Sequence, residues 1–128
     1  MQRNNIHFMT KASKTVYYFG FYLIVLGLIL VFVPNILLTL FDLESTSEVW
    51  IHVVGSLVFA LGTYYVFIAK ADHESLLKAT VFNRLLIFAW FILFVILGWV
   101  GWQLILFGGI DLLGAIWTWN AMQKAQKS

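Results

Sequence analysis

The sequence predicts an all-α polytopic membrane protein, an antiparallel bundle of four transmembrane helices forming one domain. Three observations carry that reading. Hydrophobic residues make up 62% of the 128 positions and charged residues only 11%, against about 25% charged in soluble domains. The apolar residues gather into runs long enough for the roughly 20-residue helices that cross a bilayer. Once four spans are laid out, all eight lysines and arginines fall on one side, as cytoplasmic loops require.

The first span is expected over residues 15–33, where Pro34 ends or kinks the helix for want of an N–H. Its basic flank (Arg3, Lys11, Lys14) outlines a signal peptide. The uncharged run of residues 15–41, however, exceeds an h-region of about 7 to 15 residues, and no small-residue cleavage site follows, so the segment reads as a retained span. The apolar stretch 35–41 is too short to cross and is expected to lie in the interface as a helical turn or two. The second span is expected over 49–69, opened by a Ser45-x-x-Glu48 capping box. Residues 70–80 read as a short cytoplasmic loop. The long run after Arg84 must be divided, and Gly98, Trp99, Gly101 and Trp102 mark the break, giving spans at 81–97 and 102–120.

An even number of spans puts Arg3, Lys11, Lys14, Lys70, Lys78, Arg84, Lys124 and Lys127 together and Asp42, Glu44 and Glu48 opposite. The expected location is the bacterial inner membrane, with both termini cytoplasmic. The lipid bilayer is thus the first partner. The basic residues form no stripe with base-stacking aromatics, which argues against nucleic acid. With no cysteine, disulfides, thiolate metal sites and cysteine nucleophiles are excluded.

Helices in lipid pack through small residues and polar contacts. Gly20 and Gly27 on the first span, Gly55 and Gly62 on the second, and Gly101, Gly108 and Ala115, with Gly114 beside it, on the fourth provide such faces. Their spacing of seven suits antiparallel bundle packing. Asp111 lies beside the last of these seams and is the only charged residue between Leu85 and Gln123. A carboxylate at mid-membrane costs about 2.5 to 3.5 kcal/mol on insertion scales, so it needs a buried partner or a function. Arg84 is the first candidate partner, with an axial gap of about 8 Å at roughly 1.5 Å per residue; equally, Arg84 could snorkel to the headgroups. Thr118, Ser56, Thr63 and Tyr64 are further candidate partners, making Asp111 a structural lock. Left unpaired, it becomes a protonatable group at mid-membrane.

His52 is the only histidine inside a span and is expected to bond Ser56, Glu48 or headgroups; bis-histidine haem would need a second at matching depth. No zinc ligand set, nucleophile elbow, phosphate loop or paired carboxylates appear, so no cofactor or metal is called for and enzymatic activity is the minor reading. Of the 23 aromatics, Tyr17, Tyr18, Tyr64, Tyr65, Trp117 and Trp119 gather toward the cytoplasmic interface and Trp50, Trp99 and Trp102 mark the other, an anchoring belt; Trp90 stands apart, to pack or to line a pocket.

Val33-Pro34 with its apolar follower, Glu48-Val49-Trp50-Ile51-His52-Val53-Val54-Gly55, Leu61-Gly62-Thr63-Tyr64-Tyr65, Thr80-Val81-Phe82-Asn83-Arg84 and Gly109-Ile110-Asp111-Leu112-Leu113-Gly114-Ala115-Ile116-Trp117-Thr118 together resemble small four-span bacterial inner-membrane proteins. The likeness is to the DoxX-like and BphX-like groups. It implies a four-span fold and, for DoxX-like proteins, association with membrane redox subunits. The leading expectation of function is a non-enzymatic accessory or assembly subunit, or a homo-oligomer, on the strength of the small-residue faces. The alternative is a proton-linked carrier or small-molecule binder using Asp111 with Arg84, and a weaker one is a redox or haem subunit.

Overall fold

The computed structural model describes residues 10–127, with side chains through Lys124. Arg3 and His7, and the side chain of Lys127, lie outside the described residues. Five helices follow one another: α1 (Lys11–Phe32), α2 (Pro34–Leu40), α3 (Trp50–Ala71), α4 (Glu74–Ile96) and α5 (Gln103–Lys127), and no strand occurs among the described residues. All but α2 are long and apolar enough to cross a membrane, and they pack as an antiparallel bundle.

α1 begins at Thr10, whose side chain accepts from the Ser13 amide at 3.1 Å. It ends at Val33 because Pro34 cannot donate and instead starts α2 as its first residue. After α2, the chain is tied back by a double bond between side chain and backbone. Asn35 Nδ2 donates to Thr46 O at 3.0 Å, and the Thr46 amide donates to Asn35 Oδ1 at 2.8 Å. This clamp displaces the expected capping box. With Thr46 held on Asn35, its hydroxyl accepts from the Glu48 amide at 3.1 Å. α3 then opens at Val49 with no side-chain cap, leaving Ser45 and Glu48 out of that role.

The expected loop at 70–80 is mostly helix. α3 runs on to Ala71 and α4 starts at Glu74, so only Asp72 and His73 connect them. Asp72 makes so short a turn possible by adopting a left-handed conformation (φ 52°, ψ 45°), which Asp tolerates better than most residues. Its carboxylate has a second use. Oδ2 accepts from the Thr10 amide at 3.1 Å, and Oδ1 accepts from the hydroxyls of Thr10 at 2.9 Å and Ser13 at 2.5 Å. A carboxylate there satisfies free amides and favours the positive end of the helix dipole, each effect being of order 1 kcal/mol. At the other end, α4 stops at Ile96, and Gly98 turns the chain with φ 78°.

The glycine seams are tight between α1 and α3. A Cβ on Gly20 would meet Gly62 O at 3.0 Å, and one on Gly27 would meet the Phe59 backbone nitrogen at 2.5 Å. α1 also packs on α5, and α5 on α4, while α3 and α4 touch only sparsely. The expected seam on α5 needs one correction. Gly101 precedes the helix, in the turn, and only Gly108 (under Phe88 and Phe91), Gly114 (against Phe19 and Arg84) and buried Ala115 face the bundle. Trp50, Trp99, Trp102 and Trp117 point outward, as anchors at the span ends do. Trp90 lies half exposed, its ring 6.0 Å from that of Phe94.

Candidate functional site

On α5, Gly108, Asp111, Ala115 and Thr118 follow the three- and four-residue steps of one helix face, and Gly108, Ala115 and Thr118 are buried. That face turns Asp111 inward, where it lines a cavity of about 260 Å³ bounded by all five helices. The walls are aliphatic and phenylalanine side chains such as Leu26, Val58, Ile87 and Phe107, and the cavity reaches Leu37 and Leu38 of α2 at one end. Apart from Asp111, its only polar linings are Tyr22 and Tyr65. The cavity exists because the glycine seam draws α3 onto α1 while α3 and α4 stay apart.

Arg84 neither snorkels nor pairs directly with Asp111. Snorkelling supposes a helix starting near residue 81; with α4 starting at Glu74, Arg84 lies ten residues in, roughly 15 Å along the axis. Its side chain is buried, 1% exposed. Helical side chains lean toward their own N-terminus, which for α4 is the end shared with the α3–α4 turn. Arg84 therefore leans away from Asp111 and down onto Thr80 and Thr118. Nε donates to Thr80 O at 3.1 Å, and Nη2 donates to the hydroxyls of Thr80 at 3.1 Å and Thr118 at 2.9 Å. The guanidinium also stands 4.8 Å from the Phe19 ring centre and 5.7 Å from that of Tyr65, near enough for cation–π attraction.

Proton counting orders this layer. Each hydroxyl has one proton. Thr80 gives its own to Leu77 O and Thr15 gives its own to Ala12 O, both at 2.7 Å. In the 2.6 Å contact between Thr15 and Thr118, Thr118 is accordingly the donor, which leaves its lone pairs for Arg84. Four helix positions, Thr15, Thr80, Arg84 and Thr118, thus form one buried polar layer joining α1, α4 and α5.

Asp111 sits above this layer within electrostatic reach of Arg84, Tyr22 and Tyr65. Among the described residues its carboxyl makes no hydrogen bond or ion pair with protein. Arg84 Nη1 is likewise buried without a partner.

The other expected site residues lie elsewhere. The hydroxyls of Ser56 and Thr63 turn back on their own helix, donating to Val53 O and Ala60 O at 2.7 Å. Tyr64 points outward, 65% exposed, and its neighbour Tyr65 turns in, accepting a hydrogen bond from Asn83 at 3.1 Å. His52 bonds neither Ser56 nor Glu48. Its Nδ1 donates to Val31 O, a carbonyl in the last turn of α1, where the break at Pro34 ends the helical ladder. Tyr65, expected as an interfacial anchor, is instead buried, Thr80 enters the sequence reading only as part of a longer motif, and Phe19, Tyr22 and Thr15 are not distinguished by the sequence as site residues. No protein-family model, curated protein or solved structure matches the chain.

Proposed function

We propose that this protein is a non-enzymatic binding protein of the bacterial inner membrane, akin to the DoxX-like and BphX-like groups. It holds a small lipophilic molecule inside the bundle, with Asp111 meeting the ligand's polar end. The observation that carries this reading is an apolar cavity with one carboxyl opening into it and no partner for that carboxyl among the described residues. Apolar walls with a few convergent polar groups are the usual form of a small-molecule site. The structural-lock alternative lacks a direct contact to act through. The oligomer reading loses its main motive, since the glycines of α1 and α3 are occupied within the chain.

Photolabelling with an aliphatic diazirine in nanodiscs tests the binding. Adducts are expected on cavity residues Leu26, Val58 and Ile87 as well as on outward residues such as Leu113, and Val58→Trp should remove only the inner adducts. Adducts confined to outward residues would contradict it.

The proposed orientation places the α3–α4 turn and both termini in the cytoplasm. Lys11, Lys14, Lys70, Lys78 and Lys124 gather at that end, and Asp42, Glu44 and Glu48 at the other. Because the chain has no cysteine, one introduced thiol is a clean reporter. A membrane-impermeant maleimide should label Ser45→Cys in spheroplasts and Ser75→Cys only after lysis; the reverse order would invert the topology.

A further inference from the structure

We infer that the cavity is filled sideways from the bilayer, through a slot between α3 and α4, and that its ligand is an uncharged lipophile dissolved in the hydrocarbon core. The inference rests on the binding reading above. α3 packs on α1, α1 on α5 and α5 on α4, but the fourth side of this ring, between α3 and α4, is closed only sparsely. The two helices are held together toward their shared turn. Asn83 donates to the Tyr65 hydroxyl at 3.1 Å across the gap, and these residues stand roughly 14 and 9 Å along their helices from the turn.

Beyond that bond, toward α2, none of the cavity residues that α3 and α4 supply, such as Val58 and Ile87, is buried, whereas Leu23 and Leu30 on the α1 wall are. Val54 lines the cavity and is nevertheless 46% exposed. A side chain that belongs to both the inner wall and the outer surface marks an opening. Trp90 lies seven residues beyond Asn83 and Leu57 eight before Tyr65, about two turns each, so they stand on the edges of the slot. On the far side of the cavity, the hollow between α1 and α5 is covered by the end of α2. There Phe41 stacks on Phe107 with ring centres 4.3 Å apart, and Gln103 donates to Asp42 O at 3.3 Å.

Helices this long and apolar put the slot at bilayer depth, so hydrocarbon stands at its mouth. An uncharged lipophile entering there exchanges one apolar medium for another. A charged head would pass between edges that carry no charged side chain over residues 53–64 and 85–96, and charge at that depth is costly.

The test uses the aliphatic diazirine in nanodiscs and two reversible locks, each a thiol pair joined by a disulfide-containing bis-maleimide before the label is added. Leu57→Cys with Trp90→Cys bridges the slot, seven and six residues from the α2-side ends of their helices; Asp42→Cys with Gln103→Cys fixes the end of α2 to α5. After a short exposure, the slot lock should lower the adducts on Leu26 and Val58 at least fivefold, with recovery on reduction, and the α2 lock should leave them unchanged. Inner labelling that survives the slot lock, or that is lost on locking α2, would overturn the route. On the native chain, decanol and decane should displace the inner adducts at least tenfold better than decyltrimethylammonium or decanoate. Equal or stronger displacement by either ion would overturn the inference while leaving the cavity as a binding site, and this series decides even if the thiol pairs do not fold. Absence of inner labelling in the native chain would instead defeat the binding reading itself.

Discussion

Gly27→Ala is expected to destabilise the bundle by about 3 kcal/mol, the upper part of the usual range for overpacking. The added methyl would sit 2.5 Å from the Phe59 nitrogen, 2.7 Å from its Cα and 2.8 Å from Gly55 O. These are backbone atoms, so no rotamer change relieves the clash and α1 must move away from α3. Because that seam also sets the cavity wall on both helices, the inner photolabel should weaken in parallel. Gly109→Ala is the matched control. Nothing lies within 4 Å of its Cβ, and the better helix former should leave stability unchanged or raise it by up to about 1 kcal/mol. Reversible thermal or steric-trapping unfolding measures both. Similar values for the two variants would show that the close approach of α1 and α3 is not what holds the bundle.

The second large effect is expected at Arg84. Arg84→Met should cost about 1 to 3 kcal/mol, the range found when buried polar groups lose their hydrogen-bond partner. It strips Thr118 and Thr80 of their shared donor and leaves Asp111 without its nearby positive charge. Arg84→Lys should recover only part, because an ammonium lacks the planar fork that reaches Thr80 and Thr118 together. The electrostatic share is separable from the packing share by a double-mutant cycle with Asp111→Asn. The two residues are not in direct contact, yet the low dielectric predicts a coupling of about 1 to 2 kcal/mol. Strict additivity would mean that they do not sense one another.

The architecture was legible because it depends on quantities that survive without coordinates: lengths of apolar runs, the grouping of basic residues and the seven-residue spacing of glycines. The helix ends were less so. Hydropathy starts α4 at the first uncharged stretch, whereas the helix begins at Glu74, where Glu74 and Lys78 pair at 3.4 Å on the exposed surface. That seven-residue error carried directly into the site. It placed Arg84 near the headgroups, from which both expected fates, snorkelling and reaching Asp111, seemed open. Tyr65 could have been found, since it follows Gly62 by three residues and so shares its packing face, while Tyr64 does not. The Asp72 cap on α1 could not, because it joins residues 62 and 59 positions apart and depends on one left-handed residue. Nor does any local pattern announce a cavity; it arises from how far α3 stands from α4.

The central claim is that the Asp111 carboxyl meets a ligand. Infrared difference spectroscopy tests it most directly, because Asp111 is the only aspartate inside a membrane-spanning helix and its carboxyl stretch is assignable by comparison with Asp111→Asn. Adding decanol to the native protein in nanodiscs should shift that band, and the difference signal should vanish in Asp111→Asn and in the cavity-filling Val58→Trp. A native spectrum unmoved by decanol, or the same signal persisting in Asp111→Asn, would contradict the account.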